Sequence, residues 1–383
     1  HDCSVMRALF AALFDSKRAA RQDAAMQSIS HFLARVALPV TPALVIRRAA
    51  MLTNLAAMQA ACDAKGVRLR AHGKMHKCSR LGLLQVEMGA VGLCCQTVGE
   101  VEAFVAGGIT DVLVTAPVPA WGWRRLAALA GRVGAVIDSA AQAHAASAAA
   151  AAAGVTLDAY VDVDPGMGRA GVAPAEAPVL ARLLTTLPGL NYAGVQAYCG
   201  HHQHLLPAER TAAHADWTSR LAALLATLRA EGLAPAQVTG GGTGTAAMDL
   251  AAGLYTELQA GSYAVMDVEY GDLGDLPFQP ALFLAASVVS ANHASHVTCD
   301  AGHKALHPNG PAPRVVLPAG SACRPMGDEH GAIIPPGGVA EGDLVWLQPG
   351  HVDPTVALHD AFFVADEDGS LERWPIDARR VTA

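Results

Sequence analysis

The chain has 383 residues, two to three times a usual domain length, which suits one large barrel with a smaller unit attached. Its composition, 52% hydrophobic and 16% charged with 37 Gly and 22 Pro, fits a compact α/β protein and excludes a disordered chain. A formal net charge of -7 gives no basic footprint for nucleic acid, and no uninterrupted apolar run of about 18 residues is present to cross a membrane.

Taken in chain order, residues 1–40 read as an N-terminal extension, partly helical, because "SKRAARQDAA" continues an amphipathic helix with no small-residue cleavage signal. From residue 41 one phrase repeats: a short β-branched or apolar run, a polar loop, then a helix with apolar residues at threes and fours. The predicted strands are "PALVI" (42–46), "VRLRAH" (67–72), "VGLCCQ" (91–96), "DVLVTA" (111–116), "GAVIDS" (134–139), "DAYVDVD" (158–164), "YAGVQAY" (192–198) and "QVTGGG" (237–242). Helices such as "LTNLAAMQAACDAKG", the Ala-rich "SAAQAHAASAAAAAAG" and "RTAAHADWTSRLAALLATLRAEG" separate them. Eight such units predict a (β/α)₈ barrel over residues 41–275, and the absence of G-x-G-x-x-G after the first strand argues against a dinucleotide fold. After about residue 276 the chain turns to short strands with Gly/Pro turns, which predicts a C-terminal β domain over 276–383. Eight cysteines, two of them adjacent and none in a C-x-x-C pair, read as reduced thiols of a cytoplasmic protein.

In such a barrel the chemistry belongs at the C-terminal ends of the strands. Lys74 follows the second predicted strand between His72 and His76, Gln96 ends the third, and Asp164 with Arg169 follow the sixth. Tyr198 with His201, His202 and His204 end the seventh, and "GGGTG" (240–244) ends the eighth. Singly, a loop lysine or histidine is usually a solvated group, and Gln96 or Tyr198 a buried polar group with satisfied hydrogen bonds. Their joint position at five strand ends argues for a site. The glycine run reads either as a tight turn or as an anion cradle, and lacks the lysine of a nucleotide-triphosphate loop. Together with a reactive lysine it suggests a phosphorylated aldehyde cofactor. In the β domain, His351 and Asp353 are two residues apart, so an extended strand would send both side chains to one face as divalent-metal ligands; an isolated H-x-D is also common by chance.

These residues together resemble the fold-type III pyridoxal phosphate enzymes, and within them the D-threonine aldolase and D-serine dehydratase family. The resemblance runs from about residue 42 to 380 through "RAHGKMHK", "GLCCQTVGEVEAF", "VDVDPGMGRAGV", "GVQAYCGHHQH", "TGGGTG", "YTELQAGSYAVMD", "CDAGHKA", "DEHG" and "PGHVDPT". It implies an alanine-racemase-like barrel with pyridoxal phosphate on Lys74, tuned by His72 and His76, since a neighbouring cation keeps an amine deprotonated. It further implies a phosphate cradle of Gly242, Thr243, Gly244, Gly261, Ser262 and Tyr263, with Gln96, Arg169 and Tyr198 around the ring. His351 and Asp353 would hold Mn or Mg, and His204 would act on the substrate hydroxyl, with the roles of His201 and His202 left open. Dehydratase members tend to carry Cys where Asp353 stands, which favours retro-aldol cleavage of a D-β-hydroxy-α-amino acid. D-3-hydroxyaspartate cleavage and D-serine or 3-hydroxyaspartate dehydration are the alternatives. A homodimer acting on a small molecule, with no nucleic acid or membrane partner, completes the expectation.

Overall fold

The computed structural model describes residues 26–379, so the expected helix before residue 26 lies outside the described residues. A helix over residues 26–33 (α1) leads to strand β1 (Ala43–Arg47) and helix α2 (Arg48–Asp63). The barrel follows: β2 (Arg68–His72), β3 (Gly92–Cys95), β4 (Asp111–Val114), β5 (Arg132–Ile137), β6 (Leu157–Asp162), β7 (Leu190–Ala197), β8 (Gln237–Gly240) and β9 (Glu257–Leu258). Each pairs in parallel with the next, and β2 closes on β9 through Leu69 opposite Leu258. Between them run α3 (Ser79–Glu87), α4 (Val98–Ala106), α5 (Gly122–Ala127), α6 (Ala140–Ala153), α7 (Ala177–Thr186), α8 (Pro207–Ala230) and α9 (Ala246–Ala252).

The count of eight barrel strands holds, but the membership differs by one. The first predicted strand, β1, is not in the barrel. It joins the C-terminal sheet, antiparallel to β10 (Leu282–His293) and parallel to β16 (Ala361–Ala365), with Leu44 opposite Leu284 and Phe362. The eighth barrel strand is instead β9, two residues long. An all-apolar run such as Ala-Leu-Val-Ile, buried on both faces, fits either sheet, so its pattern alone does not choose between them.

After β9 comes a short helix, α10 (Val268–Gly271), then the sheet of β10, β11 (His296–Cys299), β12 (Arg314–Leu317), β13 (Ala322–Pro325), β14 (Gly331–Ile334), β15 (Leu344–Gln348), β16 and β17 (Leu371–Pro375), with helix α11 (Val352–Val356) between β15 and β16. One apolar cluster ties the two units together: Leu44 and Ile46 of β1, Met51, Leu55 and Met58 of α2, Leu258 of the barrel, and Leu284, Leu347 and Val364 of the sheet. A second packs the barrel strands under α4 to α8 through Phe104, Trp123, Leu184 and Trp217. The lumen carries a buried ion pair, Arg70 Nε to Glu257 Oε1 at 2.8 Å, with Asp111 completing the guanidinium. Removing one partner would strand a buried charge.

Candidate active site

β2 ends at His72, and a single 3₁₀ turn, Gly73–Met75, carries Lys74 out of the barrel rim. A Cβ at Gly73 would stand 2.6 Å from the Phe104 ring, so glycine there lets the turn lie against α4. Lys74 Nζ reaches 3.1 Å from Asp353 Oδ2, joining the barrel to the β domain. His72, Lys74, Gln96, Thr115, Arg169, Tyr198 and Gln259 line one cavity. His72 Nε2 meets Thr115 Oγ1 at 3.1 Å, and the same hydroxyl lies 3.3 Å from Gln96 Oε1. The Arg169 guanidinium sits 5.6 Å above the Tyr198 ring, and burial raises the pKa of the Tyr198 phenol.

The two histidines beside Lys74 differ from the expected cations. Burial lowers His72 well below its ordinary value, and holds His76 at about 4, so both are neutral. His76 also faces away from the cavity: its Nε2 meets Gln85 Oε1 at 3.2 Å, its Nδ1 accepts from Cys78 N, and its ring lies edge-on to Phe104. The strongest influence on Lys74 is Asp353, which raises its pKa against the opposing effect of burial. The lysine is therefore held as an ammonium by a carboxylate of the other unit, and is not pushed towards the free amine by histidine charge.

The glycine-rich turn is built on Gln203, which the sequence reading did not single out. Gln203 is 1% exposed; its Nε2 donates to Thr245 Oγ1 (2.9 Å) and Cys199 O (3.1 Å), and its Oε1 accepts from Gly244 N (2.9 Å). A Cβ at Gly242 would lie 2.5 Å from Gln203 Oε1, and one at Gly244 2.0 Å from Gln203 O. Both glycines are thus required by packing, whatever else they bind. Thr243 Oγ1 accepts from Tyr263 N at 3.0 Å, joining this turn to the Gly261–Ser262–Tyr263 turn and leaving its own O–H to donate elsewhere. Gly261 packs on His72, where a Cβ would meet the His72 Cβ and O at 3.1 Å.

A second group faces Lys74. His351 and Asp353 do not lie on an extended strand as expected: His351 caps α11, and Asp353 sits in its first turn, where a carboxylate suits the helix N-terminus. Asp353 Oδ1 is buried without a partner. His204, from the 3₁₀ loop after β7, comes within 3.1 Å of Glu269 Oε1, while Glu269 Oε2 is 3.9 Å from His351 Nδ1. Burial lowers the His204 pKa, with Glu269 opposing. His202 is buried and neutral, at about 4, against the exposed His201. Among the described residues no group of three or more His, Cys, Asp or Glu is placed to hold a metal ion. Glu269, Tyr270, Asp267, Thr115 and Gln259 join the site unannounced by the sequence. Only "MDVEY" offered a signal, as two acids at a loop after the last barrel strand.

A closed parallel barrel with a lysine at one strand end, a glycine-rich turn at another, and a β domain that carries a His and an Asp to that lysine defines a two-part enzyme of the alanine racemase-like fold. Comparisons with known proteins carry this further. Residues 46–268 match the alanine racemase N-terminal domain model, and residues 281–365 match the putative serine dehydratase domain model. The chain is 42% identical over 353 residues to D-threonine aldolase of Arthrobacter sp., covering 88% of this chain and 92% of the relative. It is 38% identical over 356 residues to 3-hydroxy-D-aspartate aldolase of Paracoccus denitrificans, with the same coverage of each. The crystal structure of D-threonine aldolase from Filomicrobium marinum superposes with a TM-score of 0.86 at 38% identity, covering 89% of this chain and 96% of that one. The chain belongs to the D-threonine aldolase and D-serine dehydratase family of fold-type III pyridoxal phosphate enzymes, and it is a lyase. Among the described residues no helix is long and apolar enough to cross a membrane.

Proposed function

We propose that this enzyme cleaves D-β-hydroxy-α-amino acids of the D-threonine kind to glycine and an aldehyde, using pyridoxal phosphate and a divalent ion, Mn or Mg. The observation that carries this reading is the meeting of Lys74 with Asp353 at 3.1 Å, which brings a cofactor lysine and a hard metal ligand to one point beside His204. The residues present fit both groups. Gln96, Thr115, Arg169, Tyr198 and His72 form a polar-walled slot around Lys74 for a pyridine ring. The tightly packed turns of Gly242–Gly244 and Gly261–Tyr263, joined through Thr243, suit its phosphate. The unpartnered, buried Asp353 Oδ1 beside His351 suits a cation with two protein ligands, its remaining positions left to water and substrate.

When bound, pyridoxal phosphate supplies the electron sink for breaking the Cα–Cβ bond. The ion supplies Lewis-acid polarisation of the β-hydroxyl. Lys74 supplies the amine that carries the cofactor. Arg169 and Gln96 would bind and orient the ring, with Tyr198 lying under the Arg169 guanidinium in the same slot. His204, kept neutral by burial, takes the β-hydroxyl proton, and Asp353 with His351 sets where that hydroxyl lies. Asp353, an oxygen ligand where a thiolate would favour zinc, supports cleavage over hydroxide expulsion. Seven described cysteines, all unpaired and buried, support a cytoplasmic setting, and we carry the homodimer forward as part of the proposal. Exhaustive chelation should stop glycine release from D-threonine while leaving the cofactor's visible absorbance, and Mn should restore turnover. Full activity after chelation would contradict the metal role.

A further inference from the structure

Glu269 lies on α10, and its two carboxylate oxygens face imidazoles from different parts of the chain. Oε1 is 3.1 Å from His204 Nδ1, and Oε2 is 3.9 Å from His351 Nδ1. The backbone fixes where this carboxylate stands. Glu269 N donates to Gly350 O (3.2 Å) and Val268 N to Pro349 O (3.1 Å), while the buried Asp267 accepts from Tyr270 N and Val352 N, both at 2.9 Å. α10 and the turn that carries His351 are thereby one hydrogen-bonded unit. Tyr270 holds the His204 ring edge-on at 4.5 Å between centroids, and the Asn309 amide flanks His351 Nδ1 at 3.4 Å. Gly310 backs this side, where a Cβ would stand 3.0 Å from the His351 Cβ.

A neutral imidazole carries one proton, and the hydrogen bond made by one nitrogen decides the state of the other. A carboxylate at Nδ1 keeps the proton there and leaves Nε2 its lone pair. For His204 that lone pair is what a base requires; His351 Nδ1, at 3.9 Å, is beyond hydrogen-bond reach of the carboxylate. We propose that Glu269 is a positioning residue that sets the tautomer and ring orientation of His204, so that the carboxylate readies the base. The inference rests on the role given above to His204.

The test uses holoenzyme with pyridoxal phosphate, Mn and D-threonine. Glu269→Gln should lower kcat at saturating Mn by about 10- to 100-fold, the size typical of losing a carboxylate that orients a functional histidine. KM should stay within about threefold and the cofactor absorbance unchanged, since Glu269 lies outside the slot around Lys74. Glu269→Asp should recover part of the loss. Wild-type kcat in Glu269→Gln overturns the proposal, and so does loss of activity together with cofactor absorbance, which marks a purely structural role. Recovery of full kcat by added Mn alone also overturns it, because Glu269 would then serve the ion and not His204. Independently of which product forms, ¹⁵N imidazole shifts should show Nδ1-protonated His204 in the wild type and a changed His204 in Glu269→Gln. An Nε2-protonated His204 ring in the wild type refutes the proposal, whereas a wild type that releases no glycine refutes only the aldolase reading.

Discussion

Adding one methyl at Gly242 should damage the protein, and deleting the Gln203 side chain should cancel that damage. The new Cβ would stand 2.5 Å from Gln203 Oε1 and 2.7 Å from its Cδ. Gln203 has no room to yield, because its amide is tied to Cys199, Gly244 and Thr245. Overpacking a buried site costs about 1–3 kcal/mol, so Gly242→Ala should lose roughly 2 kcal/mol. Gln203→Ala gives up three hydrogen bonds at about 1 kcal/mol each and leaves the Gly244 N–H buried and unpaired. In that background the Gly242 methyl enters the emptied space, giving a favourable coupling of about 2 kcal/mol between the two substitutions. Gly244 is the control. Its Cβ would lie 2.0 Å from the Gln203 backbone oxygen, which Gln203→Ala leaves in place, so Gly244→Ala should be equally damaging in both backgrounds. Urea midpoints of the single and double variants measure the cycle. Equal damage by Gly242→Ala in both backgrounds, or rescue of Gly244→Ala, would refute the reasoning that Gln203 shapes this turn.

Lys74→Ala should abolish the borohydride-reducible cofactor adduct and the activity together; an adduct on Lys77, which is ion-paired to Glu100, would contradict the assignment. Asp353→Cys should shift metal preference towards zinc and reduce glycine release, as measured by products under Mn and under Zn. An unchanged metal preference would count against Asp353 as a ligand. His76 should make the fold acid-sensitive. Burial holds it at about 4, below an unfolded value near 6.5, so as pH falls through that window the unfolded chain gains a proton the folded one refuses. The loss reaches about 3 kcal/mol by pH 4, and His76→Gln should flatten the decline of the urea midpoint between pH 7 and 4.5. The same slope in variant and wild type would show that His76 titrates normally.

The strand ends were legible because polar residues break apolar runs there, and Lys74, Gln96, Arg169 and Tyr198 all face one cavity. β9 was not legible. Two residues, Glu257 and Leu258, give no period, and they form a strand only because β2 and β8 stand on either side to pair with them. The five apolar-rich residues of β1 were legible as a strand but not as belonging to the other sheet, since that choice is made by contacts with Leu284 and Phe362 far along the chain. The two-residue spacing of His351 and Asp353 suggested a shared strand face; the structure puts both at a helix start, where Asp353 turns towards Lys74. Gln203 carried no signal, and Glu269 only that of an acid in a loop after the last barrel strand, because a lone amide or acid acquires its role only from partners brought up by folding.

The most direct test of the central claim is product analysis on the wild type with pyridoxal phosphate, Mn and D-threonine. Retro-aldol cleavage predicts glycine and acetaldehyde in equal amounts, with at most a trace of 2-oxobutanoate. Release of mainly 2-oxobutanoate and ammonia would contradict it and assign the Lys74, His204 and Asp353 constellation to dehydration.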